Sequence, residues 1–281
     1  MASPPHNKKL TGSGFTGLDR PQETTVDIFA SSLPFKFLGV IFFAGLWAGL
    51  QNALAGGGSF ITLPALIVTG MSPLAANITS TVALFPGQLT SGVSGRSLVK
   101  GLDGVSFRTL LVISLAGGAL GGLLLLETPS KFFAHLVPWL VLFATVVFTW
   151  GSFLRKQGES ATHLGRKGAL VAQFMVAIYG GYFGGGIGFL MMALLATAGM
   201  PTRHAGATKN ALAGVMNAAA VALFVTSSAL HWREAVVLGV GAIIGGLLGS
   251  WALYRVNEKA LRVAIVCIGI ALTVGLFLRP V

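Results

Sequence analysis

Eight stretches of the chain run almost without charge: 37–69, 74–95, 105–126, 132–154, 168–198, 205–230, 235–254 and 260–278. Several reach the roughly 20 residues a helix needs to cross a bilayer. Polar and basic residues gather between them, so the pattern predicts a chain of membrane helices. Two of the stretches, 37–69 and 168–198, exceed one span. Each is interrupted by glycines, Gly56, Gly57 and Gly58 in the first and Gly184, Gly185 and Gly186 in the second. Glycine costs about 1 kcal/mol against alanine in a helix interior. Each long stretch is therefore expected to be two helices around a break rather than one straight rod.

The two interruptions match. Laying residue 55 on residue 184 pairs Gly56 and Gly57 with Gly185 and Gly186, and Phe60 with Phe189. It also pairs Gly70-Met71 with Gly199-Met200, Ala76 with Ala205 and Thr79 with Thr208, all without a gap. Further on, GGALGG at 117–122 matches GGLLGS at 245–250. Ordered self-similarity of this kind marks structural repeats. The expected organisation is a polar tail at 1–34, a membrane repeat at 35–154, a basic linker at 155–167 and a second repeat at 168–281. Each repeat reads as a glycine-broken hairpin, a short turn and three further helices. An odd number of passes per repeat makes the pair inverted, although the distribution of Lys and Arg fits a parallel pair too. The fold class is thus an all-α polytopic membrane protein of two related, inverted repeats. Small residues at four-residue spacing, Gly117 with Gly121 and Gly241 with Gly245 and Gly249, predict close helix packing.

Composition agrees: 54% of residues are hydrophobic and 10% charged, with a mean hydropathy of +0.80. The first apolar run begins near Phe35 and outlasts the apolar core of a cleaved signal, so it is expected to be retained. The formal net charge is +11. The basic residues lie mainly in the tail and between helices, where topology signals lie. No basic stripe with interleaved aromatics is present, which argues against nucleic acid as a partner. The single cysteine, Cys267, has no partner cysteine for a disulfide or metal site and reads as a small packing residue.

Breaking a helix inside the membrane is tolerated where the backbone is buried in protein or lines a cavity. The new helix start exposes N–H groups and carries partial positive charge, which suits an anion. The candidate binding residues are therefore Gly56, Gly57, Gly58 and Ser59 with Gly184, Gly185 and Gly186. The helix after each turn adds Asn77, Thr79, Ser80, Thr81 and Gln88 in the first repeat. The second adds Thr208, Lys209, Asn210 and Asn217. Gln88 and Asn217 occupy matching positions and either bond across helices or line the site. Lys209 is a charge inside an apolar run, a mark of function, unless it reaches back to the interface beside Arg203 and His204. No acidic residue falls inside an apolar core, which argues against a cation carrier or a carboxylate proton relay. The histidines lack metal-ligand spacing, no catalytic cluster is visible, and neither metal nor cofactor is expected.

AGGGSFITLPALIVTGMSPLAANITST at 55–81, repeated more loosely as FGGGIGFLMMALLATAGMPTRHAGATKN at 183–210, resembles the TauE/SafE sulfite-exporter family. The resemblance covers nearly all of residues 35–280. The second copy departs from the pattern: Lys209-Asn210 replaces Ser80-Thr81, and Ala193 stands where Pro64 does. The resemblance implies a multi-pass permease, not an enzyme, of the bacterial inner membrane, exporting small sulfur-containing anions such as sulfite or organosulfonates. A passive small-anion channel, or a permease for another small oxyanion or carboxylate, is the alternative. The expected partners are that anion and the lipid bilayer, with a homodimer left open.

Overall fold

The computed structural model describes residues 35–54, 57–94, 96–102, 104–154, 165–252 and 258–278. The expected tail at 1–34, most of the linker and Gly56 lie outside them. Among the described residues there are ten α-helices. The first half holds α1 (Phe35–Leu54), α2 (Ser59–Val68), α3 (Pro73–Ser94), α4 (Phe107–Glu127) and α5 (Ser130–Thr149). The second holds α6 (Gly165–Tyr182), α7 (Ile187–Thr197), α8 (Thr202–Phe224), α9 (Trp232–Ala252) and α10 (Glu258–Leu278). The order long, short, long, long, long occurs twice, as the glycine breaks and turns dictate.

Each break doubles the chain back. Gly57 takes φ 81° and Gly186 takes φ 72°, the left-handed region that glycine enters without a Cβ penalty. After Gly57 the chain lies beside the carbonyl of Ala48, so α2 begins against the last turns of α1. After Gly186, Ile187 packs on Gly180, and α7 starts against the end of α6.

Three described helices are by themselves long and apolar enough to cross a membrane: α4, α5 and the Trp232–Gly249 part of α9. Their outward faces carry exposed apolar side chains, among them Val112, Leu123, Trp139, Val236 and Leu247. Such faces belong in lipid, and the chain is an integral membrane protein. The helices α3 and α8 are as long but more polar, because they carry most of the candidate site residues. Their polar side chains face protein: Asn77, Thr79, Ser80, Thr208 and Asn217 are buried.

The halves reach across one another. α1 packs along α9, with Gly45 against Leu238 and Gly49 against Ala242, while α6 packs along α4, with Ala177 against Gly117 and Gly181 against Gly118. In both pairs the residue numbers rise together, so the paired helices run parallel. A Cβ on Gly49, Gly121, Gly241 or Gly245 would overlap a backbone carbonyl of the facing helix. The small-residue spacing therefore sets the helix approach, as expected. In addition, α3 meets α8 and α5 meets α10. Trp139 touches Phe277 and Thr145 touches Gly269, so α5 and α10 run antiparallel. Cys267 differs from its expected packing role: it lies exposed on α10.

Candidate functional site

The two breaks meet. The ring of Phe60, one residue into α2, lies against Gly186, and the ring of Phe189, at the start of α7, lies against Gly57. Phe60 and Phe189 are matching residues, as are Gly57 and Gly186, so each half covers the other's break with the same side chain. Phe189 also stacks on Phe148 of α5, ring centroids 3.8 Å apart, and Ala144 of α5 closes on Gly186. Sequence reading paired these aromatics without assigning them to the site. The signal was present, because a Phe three residues after each left-handed glycine is one of the few large residues the two breaks share.

The first break is tied to its own helix. The Gly58 N–H donates to Asn52 Oδ1 at 2.7 Å, and Gln51 Nε2 donates to the Gly57 carbonyl at 3.1 Å. Ser59, half-buried, opens α2. At the second break the Tyr179 hydroxyl donates to the Gly185 carbonyl at 3.0 Å. Gly184, at φ 71°, lies near the Thr81 hydroxyl of the first half. Lys209 extends from α8 so that its Nζ lies beside Gly188, in the first turn of α7. That is the end of α7 away from the Pro201 turn, so the side chain reaches the break and not the interface beside His204. Among the described residues no carboxylate lies within ion-pair distance of it.

The remaining candidates divide between bracing the bundle and facing the breaks. Thr79 Oγ1 accepts from the His231 N–H at 3.2 Å, which ties α3 to the connector before α9. Its counterpart Thr208 ties α8 to the connector before α4: its Oγ1 accepts from the Lys100 N–H at 3.0 Å and donates to the Lys100 carbonyl. Ser80 bonds Thr62 of α2. Asn77 Nδ2 donates to the Tyr182 carbonyl at 3.1 Å, at the end of α6. Thr81 donates back to Asn77 O at 2.8 Å. Asn217 Nδ2 donates to Gln88 Oε1, so these two matching amides, 129 residues apart, bond to one another. Asn210 is half-buried on α8, next to Lys209.

One expectation is corrected. Acidic residues were expected to stay clear of the buried interior, but Glu234, in the first turn of α9, is fully buried. Its position at the end of an apolar stretch read as an interface. The end of that helix is instead covered by α3, through the Thr79 bond to His231. Among the described residues no group of three or more His, Cys, Asp or Glu side chains is placed to hold a metal.

Comparison with known proteins agrees with the architecture. The family described as "Sulfite exporter TauE/SafE" matches residues 41–276. A "Probable membrane transporter protein" of Haemophilus influenzae is 30% identical over 242 residues, spanning 84% of this chain and 92% of that protein. The "Probable membrane transporter protein YfcA" of Escherichia coli K12 is 27% identical over 85% of this chain and 89% of its own length. The "Probable membrane transporter protein ORF9" of a Sinorhizobium species is 27% identical over 88% and 95%. No solved structure matches. With a match that spans both breaks and all ten helices in part or whole, the chain belongs to the TauE/SafE sulfite exporter family of membrane transporters.

Proposed function

We propose that the protein exports small sulfur-containing anions, sulfite or organosulfonates, across a bacterial inner membrane by alternating access. The observation that carries this reading is the meeting of the two breaks beside Lys209. The amide end of α7 presents partial positive charge, and Lys209 Nζ lies at the same place. A cation beside a helix N-terminus is repelled by it, and the pair becomes favourable when an anion sits between them. Sulfite and sulfonates carry several acceptor oxygens around a compact charge, and such groups suit backbone N–H donors together with an ammonium. The Thr81 hydroxyl lies near Gly184, and turning its proton from the Asn77 carbonyl to an anion would add a further donor there.

Alternating access follows from an inverted arrangement of the halves, which the reciprocal packing supports. In matching helices that touch, α5 and α10, the chains run antiparallel, as an in-plane two-fold axis requires. Rocking one half against the other would then carry Phe60 off Gly186 and Phe189 off Gly57. Two aromatic covers that release in turn fit a carrier.

The test is binding of sulfite and of a short alkylsulfonate to the purified protein, comparing wild type with Lys209→Ala and Ser80→Ala. Loss of binding in the first and retention in the second is the expected result. Equal binding in all three proteins removes Lys209 from the site and this reading with it.

A further inference from the structure

At the start of α7 two kinds of donor come together without an acceptor. The Ile187 N–H bonds the Gly184 carbonyl, and the Phe189 N–H bonds the Gly186 carbonyl. The Gly188 N–H between them has no acceptor among the described residues. Lys209 Nζ, which lies beside Gly188, has none there either. The first half shows that the fold can answer a break from within. There Asn52 Oδ1 takes the Gly58 N–H, and Ser80, opposite Lys209 in the repeat, bonds Thr62. In the second half Gly180 and Gly181 stand where Gln51 and Asn52 do, so the bracing amides are missing. The second break therefore draws its acceptor from outside the chain. Lys209 is half-buried, so water still reaches part of the side chain in this structure.

We infer that transport is an obligate exchange: having released one anion, the carrier returns only after taking a second small anion from the other side. This rests on the alternating access proposed above. Such a carrier passes through a state closed to both faces. Closing strips water from Lys209 and the Gly188 N–H, and a buried charge or donor without a partner is strongly disfavoured. An anion between them supplies the acceptor and the countercharge together. The loaded carrier closes, and the empty one stays open to the face on which it let go. The counter-anion must satisfy the same donors. It is compact and presents carboxylate or sulfonate oxygens, one towards the amide and another towards the ammonium. A polymeric anion cannot enter and does not serve. The gradient of the incoming anion then drives the outgoing one.

The experiment uses the full chain in sealed vesicles loaded with labelled sulfite. Potassium and valinomycin on both sides keep charge build-up from limiting flux. Release of label is timed into unlabelled sulfite, methanesulfonate or acetate, and into a polymeric anion alone. Wild type releases label about a hundredfold faster into the small anions than into the polymer. Lys209→Gln removes the unpaired charge, so its empty form closes and returns, and the ratio falls below about ten. Lys209→Arg keeps the charge and the high ratio. Equal release by wild type into both media overturns the proposal. So does a folded, active Lys209→Gln that keeps the wild-type ratio. If Lys209→Gln does not fold or moves no anion, the wild-type ratio and its persistence in Lys209→Arg decide. If wild type moves acetate but neither sulfur anion, the substrate reading fails, and the same ratio with labelled acetate still decides exchange. Movement of no small anion overturns both.

Discussion

At the break after α1 the backbone is answered by its own helix: Asn52 accepts the Gly58 N–H and Gln51 donates to the Gly57 carbonyl. At the break after α6 the Tyr179 hydroxyl holds the Gly185 carbonyl, and the start of α7 faces the ammonium of Lys209. The packing around the two is reciprocal, Phe for Phe and glycine for glycine. The chemistry is not. Lys209 stands opposite Ser80, and the second half also holds the buried Glu234. Repetition has kept the scaffold alike in both halves and placed the charged groups in one. On the function proposed above, substrate charge would be read by the second half, and the first would supply hydroxyls, an aromatic cover and a moving partner.

Because the scaffold is shared, damage to it should be symmetric, and these are the largest effects expected. Gly49→Leu strikes the α1–α9 contact and Gly121→Leu the α4–α6 contact. In both, a side chain must fit where a Cβ already overlaps a carbonyl of the facing helix. Overpacking of that kind costs about 3 kcal/mol or more. Both variants should lose most of their folded yield in detergent, and by similar amounts. A large loss in one with none in the other would break the equivalence of the two interfaces.

The next effect is confined to one half. Lys209→Ala removes a charged donor, and the expected loss is about 2 kcal/mol, or about thirtyfold in sulfite affinity. Ser80→Ala, at the matching position, should leave affinity nearly unchanged, because Ser80 bonds Thr62 inside the protein. Calorimetric titration of the two proteins checks the difference. Equal losses would mean that both halves read the anion.

A third pair sharpens how the breaks are held. Asn52→Ala leaves the Gly58 N–H without its acceptor, at about 1 kcal/mol, the usual loss for a helix-start cap. Tyr179→Phe removes one hydroxyl shared between the Gly185 and Leu140 carbonyls, also about 1 kcal/mol. Thermal unfolding in detergent reads both. Asn52→Ala should lower stability without weakening sulfite binding. Tyr179→Phe should do both, since it loosens the break that Lys209 faces.

Much of this architecture is written plainly in the chain. Apolar length, the two glycine clusters and the match between residues 55 and 184 foretell ten helical segments in two sets of five. The four-residue glycine spacing foretells which faces come together. What the pattern cannot convey is which partner those faces take. Nothing in Gly45 or Gly241 says that α1 leaves its own half to pack on α9, because close approach needs only a small residue on each side. Site residues suffer from a related ambiguity. Thr79, Ser80 and Thr81 look alike in sequence. Their hydroxyls go to a connector, to α2 and to the helix's own backbone, according to a rotation of about 100° per residue. Glu234 was misread for the opposite reason. Burial at a helix end depends on what packs over it, and that neighbour, α3, is some 150 residues away, the Thr79–His231 bond spanning 152 positions.

The smallest expected effect tests the symmetry most directly. Gln88 and Asn217 are matching residues, and they bond to each other where α3 meets α8. In the inverted arrangement proposed above, such a contact lies where the two-fold axis passes between the halves. Amide bonds between membrane helices contribute about 0.6 kcal/mol on average, so Gln88→Leu and Asn217→Leu should each lower stability slightly. The double variant should lose less than the sum of the two, by about that coupling. The sharper version exchanges the residues: Gln88→Asn with Asn217→Gln restores the same pair with its members traded across the axis. If the surroundings are equivalent, the exchanged protein unfolds within about 0.5 kcal/mol of wild type, the spread usual for independent sites. A penalty as large as that of the double leucine variant would mean that the two sides differ here as well. The equivalence of the halves would then end at their outer helices.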